Sequence, residues 1–88
     1  MQTDIINKIK DIDAFKNKAN KTIEFKGHVE IKTYLLLEDG WSIKAGGSIE
    51  AGGYIKAGGY IEAGWSIKAG WDIKAGGYIE AGRYIKAG

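Results

Sequence analysis

The chain contains few side chains able to do acid–base, nucleophilic or metal chemistry. There is one histidine, His28, and no cysteine. A catalytic histidine needs an orienting partner and a substrate cleft, and the nearest acidic candidate in sequence is Glu30. His28 is therefore expected to be a solvated turn residue rather than a base. One histidine without cysteine excludes the common zinc sets, and the acidic residues are dispersed, without the spacing of a calcium loop. The glycine-rich stretch "AGGYIKAGG" is periodic, whereas a phosphate-cradling loop must join a strand to a helix. The expectation is no enzyme, no cofactor and no metal. What remains is a set of tyrosines, Tyr54, Tyr60, Tyr78 and Tyr84, among alternating Lys and Glu. Such columns could bind a protein or a glycan, or they could be cross-strand pairs that stabilise a sheet.

The elements that carry these residues follow from a six-residue repeat. From Trp41 the chain divides into eight hexads, WSIKAG, GSIEAG, GYIKAG, GYIEAG, WSIKAG, WDIKAG, GYIEAG and RYIKAG. Stepping back by six from Ile43 gives Leu37, Ile31 and Phe25, so eleven hexads are expected to run in phase from about Ile23 to Gly88. A second column lies two residues earlier: Ile23, Val29, Leu35, Trp41, Gly47, Gly53, Gly59, Trp65, Trp71, Gly77 and Arg83. Residues two apart in a strand face the same way, so these two columns are expected to point inward. The tryptophans would then fill space left by the neighbouring glycines; the alternative places them outside, at a corner. Ala-Gly reads as the corner, glycine supplying the backbone angles of a tight bend.

Strand and corner with a period of six describe a β-solenoid. Three hexads per coil give an 18-residue triangular turn; two hexads, or an antiparallel meander, are the rivals. The meander would leave very short strands and an uncovered face. The charged column after the isoleucines reads as a solvated face, where exposed pairs contribute about 0–1 kcal/mol. Regular arrays on flat solenoids can bind ice, but Thr3, Thr22 and Thr33 all lie outside the regular hexads.

Residues 1–21 have a different pattern. Ile5, Ile9, Ile12, Phe15 and Ala19 fall three or four apart, which predicts an amphipathic α-helix with Thr3 or Asp4 as N-cap and an end at Asn17 to Asn20. Laid across the first coil, it would cover that coil's apolar cross-section and strand edges. Residues 22–88 form the solenoid, one domain together with this cap.

Composition sets the remaining bounds. Thirteen basic and 11 acidic residues give a net charge of +2, too balanced to argue for nucleic acid or an anionic membrane. No apolar run approaches the roughly 20 residues of a membrane span. Asp4, Asp11 and Asp13 break up any signal-peptide core. A cytoplasmic protein is expected.

The register resembles hexapeptide-repeat proteins of the left-handed β-helix family over residues 22–88. In that family an aliphatic residue follows a small one by two positions, as Ile49, Ile55 and Ile61 follow Gly47, Gly53 and Gly59. Trp41, Trp65 and Trp71 and the Ala-Gly corner depart from its usual spelling. The pattern also resembles bactofilin-type β-helices, and that resemblance implies end-to-end assembly. The expected function is a structural or self-assembling solenoid, a homo-oligomer associating through Ile79, Arg83, Tyr84 and Ile85 of the last coil. The alternative is a discrete protein-binding module, such as an inhibitor or immunity-type partner, using the Tyr and Lys/Glu faces.

Overall fold

The isoleucine-centred hexads form strands, and the strands coil. The computed structural model describes residues 2–38 and 40–88. It contains β1 (Thr3–Ile6), a 3₁₀ helix (Ile9–Phe15), β2 (Lys16–Asn17), β3 (Thr22–Phe25), β4 (His28–Ile31), β5 (Leu35–Leu36) and β6 (Ser42–Ala45). Seven three-residue strands follow: β7 (Ile49–Ala51), β8 (Ile55–Ala57), β9 (Ile61–Ala63), β10 (Ile67–Ala69), β11 (Ile73–Ala75), β12 (Ile79–Ala81) and β13 (Ile85–Ala87). Successive strands from β3 onward pass to successive sheets. The first sheet has the order β1-β4-β7-β10-β13, the second β12-β9-β6-β3-β2 and the third β11-β8-β5. Every pairing is parallel except β2 with β3. The result is a β-solenoid of about four turns.

In the later coils Ile43 pairs with Ile61, Ile49 with Ile67 and Ile55 with Ile73, a step of 18 residues. The first coil is out of phase with this step. Ile23 pairs with Ile43, Val29 with Ile49 and Leu35 with Ile55, a step of 20. The expected unbroken phase of eleven hexads is thus corrected by two residues. The cause is one long corner: five residues separate Leu37 from Ile43, where three separate the corresponding residues of the other consecutive strand pairs, as Gly46-Gly47-Ser48 do between Ala45 and Ile49. Trp41 N–H closes this corner on the Glu38 carbonyl at 3.0 Å, and Gly40 takes a φ of +79°, which glycine tolerates. Asp39, expected in the same corner, lies outside the described residues.

The shift also corrects the inward columns. The core is the Ile column with the Ala two residues after it, not the Trp/Gly column two before. Ile43, Ile49, Ile55, Ile61 and Ile67 are fully buried, and Ala45, Ala51, Ala57, Ala63 and Ala69 are buried beside them. Phe25 pairs with Ala45 and Ile31 with Ala51, so the first coil packs larger side chains over the small column. Each buried isoleucine contributes about 1.5–3 kcal/mol.

The recurrent glycine after each alanine has a steric rather than a torsional reason. Gly40 is the one glycine with positive φ among the described residues. A Cβ on Gly64 would overlap the carbonyl oxygen of Gly46 directly beneath it, and one on Gly82 would overlap that of Gly64. The Gly64 N–H in turn donates to the Ala45 carbonyl at 2.9 Å.

The expected α-helix does not form. Thr3 and Asp4, expected as N-caps, lie in β1, which pairs in parallel with β4 through Thr3–His28 to Ile6–Ile31. Adjacent β-branched Ile5 and Ile6 suit a strand, and β4 offers an edge to receive it. Only Ile9–Phe15 turns helically, as a 3₁₀ segment, with the Lys8 N–H bonded to the Asp11 carboxylate at 3.2 Å. Ile6 and Ile12 join the buried core, and Phe15 lies 4.6 Å from the Phe25 ring centroid. The return runs through two Asx bonds, Ala19 N–H to Asn17 Oδ1 and Thr22 N–H to Asn20 Oδ1, and Lys21 takes a φ of 52°.

Two substitutions test this packing. Gly64→Ala is expected to destabilise the fold by at least about 1–3 kcal/mol, the usual range for overpacking, measured by urea unfolding against an exposed-site control such as Lys68→Ala. Ile61→Asp is expected to abolish cooperative folding, read by circular dichroism; a folded Ile61→Asp protein contradicts the inward column.

Candidate functional site

Outside the core, two columns line each corner, and their sizes are complementary. Leading into the first sheet, Gly27, Gly47, Trp65 and Arg83 follow one another, each backbone N–H from Gly47 onward bonded to the preceding member's carbonyl. Leading into the third sheet the column is Thr33, Gly53 and Trp71; leading into the second it includes Trp41, Gly59 and Gly77. The next residue forms the companion column. Where the first column holds Trp, the companion is Ser or Asp, and where the companion is Tyr, the first is Gly, Arg or Thr.

The companions interact up the stack. His28 Nδ1 accepts the Ser48 N–H at 2.8 Å, Ser48 Oγ the Ser66 N–H at 3.3 Å, and Ser42 Oγ the Tyr60 N–H at 2.9 Å. The tyrosine rings stack instead: Tyr34 on Tyr54 at 5.0 Å and Tyr60 on Tyr78 at 4.9 Å. The Tyr60–Tyr78 stack is one of the cross-strand pairs that the sequence left open beside a binding surface. The four tyrosines singled out from sequence do not share one surface. Tyr54 leads into the third sheet, Tyr60 and Tyr78 into the second, and Tyr84 into the first.

The tryptophans lie at the corners, correcting the expectation that they fill the interior. Trp41 is half-buried against the core with Lys16 Nζ 5.1 Å from its ring centroid. Trp65 is 40% exposed, with the His28 ring edge-on at 5.0 Å and the Arg83 guanidinium 4.5 Å from its centroid. Trp71 is 70% exposed. A side column, open to solvent, accepts Gly, Trp or Arg in turn, which a uniformly packed interior would not.

His28 borders a cleft of about 450 Å³ with Glu30, Ser48, Glu50 and Trp65. The arrangement employs the imidazole structurally, since Nδ1 already holds a backbone N–H. Glu30 does not orient it: its carboxylate bonds Lys32 Nζ at 2.7 Å. Among the described residues, no group of three or more His, Asp or Glu side chains is placed to hold a metal ion, and no helix is long and apolar enough to cross a membrane.

The outward charges follow the corrected register. With the first coil offset by 20 residues, Glu24 pairs with Lys44, Glu30 with Glu50 and Leu36 with Lys56. Lys44 Nζ reaches Glu62 at 3.9 Å. Lys56 stands directly beside Lys74 on the third sheet.

The residues expected to self-associate lie together in the outermost coil. Ile79 is in β12 and Ile85 in β13, each the last strand of its sheet. Ile73 and Ile79 are half-buried, and Ile85 is 47% exposed. Tyr84 is exposed, while Arg83 lies along the flank over Trp65. Sequence reasoning did not single out Tyr34, Trp71, Lys56 and Lys74 as a cluster; only the three-sheet coil brings them to one flank.

Comparison with protein-family models, curated proteins and solved structures returns no match.

The Tyr78 phenol is raised above its ordinary value by desolvation, then by the negative charges of the Glu62 carboxylate, the ionised Tyr60 phenol and the Glu80 carboxylate. A raised phenol pKa means the fold favours the protonated form, so this contribution to stability is present below the ordinary value and lost as pH rises through the folded one. Spectrophotometric titration is expected to show a late tyrosinate component that Tyr78→Phe removes.

Proposed function

We propose that this protein is a non-enzymatic, self-assembling β-solenoid that associates through its outermost coil with a second copy. The observation that carries the reading is the end face formed by β11, β12 and β13. Each is the last strand of its sheet, and the isoleucines that are fully buried in the coils beneath are partly exposed there. In the stack, Ile55, Ile61 and Ile67 donate their N–H groups to Asp72, Tyr78 and Tyr84 of the coil above. The same amides of Ile73, Ile79 and Ile85 face the edge. A row of unpaired backbone groups beside exposed apolar side chains is a template for another chain. Ile79, Tyr84 and Ile85 would supply the contact, with Arg83 at its margin.

In this reading the three sheets are the sides of a triangular coil of three hexads. The segment Thr3–Asn17 serves as the cap of the opposite end, through β1, the 3₁₀ helix and the antiparallel strand β2. Its burial of Ile6 and Ile12 supports that role. Assembly through one end gives discrete dimers; end-to-end growth of the bactofilin type would require the cap to move. The protein would act in the cytoplasm and engage neither nucleic acid nor membrane.

Size-exclusion chromatography with light scattering over a wide concentration range tests this. The expected result is concentration-dependent association that Ile85→Lys abolishes while the circular dichroism spectrum is retained. A wild-type protein monomeric at every concentration, or a folded Ile85→Lys protein that still associates, overturns it.

A further inference from the structure

The flank of the third sheet carries an arrangement that neither stacking nor self-association requires. Trp71 occupies a position held one and two coils earlier by Gly53 and Thr33, so the coil does not need an indole there. The indole is nevertheless 70% exposed. A large exposed aromatic side chain at a position that tolerates glycine points to a surface contact. In the companion column the stack of Tyr34 and Tyr54 stops at Asp72, so no third tyrosine covers the outer face of Tyr54.

Two clefts meet at these rings. One, of about 360 Å³, is lined by Lys32, Thr33, Tyr34, Tyr54, Trp71 and the Gly52-Gly53 backbone. The other, of about 180 Å³, is lined by Tyr54, Ile55, Lys56, Trp71, Asp72 and Lys74. The first falls within the size of sites that hold small ligands, about 300–1,000 Å³. The charge here is unbalanced. Lys32 is neutralised by Glu30 at 2.7 Å, but Lys56 and Lys74 are side-by-side partners on adjacent strands. Neither has a carboxylate in ion-pair contact among the described residues. Like charges paired across a ladder are unfavourable, and an anion between them relieves the repulsion.

We propose that this flank binds an acidic saccharide, with a pyranose ring on Trp71 and Tyr54 and a uronate carboxylate between Lys56 and Lys74. The faces of aromatic rings are electron-rich and attract the weakly positive C–H groups that line one side of a pyranose. The Asp72 carboxylate accepts hydrogen bonds from ring hydroxyls, and the two ammonium groups make charge-assisted bonds to the uronate. Single-stranded nucleic acid also uses aromatic stacking with basic flanks. It is disfavoured here by a net charge of only +2 and by a basic feature limited to the single Lys56–Lys74 pair, too short to track a phosphate backbone.

Titration of the isotopically labelled, full chain by NMR tests the proposal with three probes: trigalacturonate, neutral maltotriose and a short oligothymidylate. The expected result is saturable shifts at Tyr54, Trp71, Asp72 and Lys74 with trigalacturonate, and weaker binding of maltotriose. Trp71→Ala is expected to weaken trigalacturonate binding by roughly tenfold, the upper value of an aromatic contact. Lys56→Gln with Lys74→Gln is expected to remove the preference for the acidic probe. The mapped shifts on the unsubstituted protein decide the question even if a variant misfolds. No saturable shift, shifts confined to another flank, or equal binding of maltotriose overturns the proposal. So does saturation of the same residues by oligothymidylate alone. Protein concentration is held fixed through each titration, so that association through β11, β12 and β13 does not contribute to the shifts.

Discussion

Every coil must lie one strand spacing, about 4.8 Å, above the last, and the corners are where that spacing is hardest to keep. In a flat strand, side chains point away from the neighbouring strand. At a corner the chain turns, and the Cβ of the residue after alanine would point into the carbonyl below, as the Gly64–Gly46 contact shows. Removing the Cβ lets the backbone hydrogen bonds continue through the bend, with Gly64 bonding Ala45 and Gly70 bonding Ala51. The remaining features follow: because the backbones stack in register, isoleucine falls on isoleucine and alanine on alanine, and a small core is built by repetition.

The same stacking distributes the aromatic residues. No corner carries two aromatic side chains in one coil: Trp goes with Ser or Asp, and Tyr with Gly, Arg or Thr. His28, Ser42 and Ser48 at the companion position accept the N–H of the next coil, whereas Tyr34 stacks on Tyr54 and Tyr60 on Tyr78. Both hold adjacent coils together at the corners, where the short strands have ended. His28, the chain's one imidazole, belongs to this system.

The period of six, the strands and their coiling were legible because isoleucine recurs every six residues without exception from Ile43 to Ile85. The inward partner is concealed by the first coil, where two large apolar residues stand two apart, Ile23 with Phe25 and Val29 with Ile31, so that in a six-residue phase the later member falls on the isoleucine column instead of the alanine column. The five-residue corner at 38–42 hides a change of phase by two. The informative signal is invariance: alanine two residues after isoleucine never varies after Trp41, while the position two before isoleucine varies among Gly, Trp and Arg. An interior column sees the same surroundings in every coil and keeps its residue, whereas an outer one does not. The N-terminal segment failed differently. Its spacing suits a helix, but the free edge of β4 offers hydrogen bonds to Thr3–Ile6 that only an extended chain can make. The last coil could be read as an end from the repeat itself, but the Trp71 flank could not be assembled without the three-sheet coil.

The coil that buries its own isoleucines also leaves a final set partly uncovered, and the functional account rests on a second copy covering them. Amide hydrogen exchange, followed residue by residue at low and high protein concentration, tests that most directly. The account predicts strong protection of Ile55, Ile61 and Ile67 at both concentrations, and fast exchange of Ile73, Ile79 and Ile85 that slows as concentration rises. Fast exchange of Ile73, Ile79 and Ile85 at every concentration would contradict association through this edge, and fast exchange of Ile55, Ile61 and Ile67 would contradict the stacked register itself.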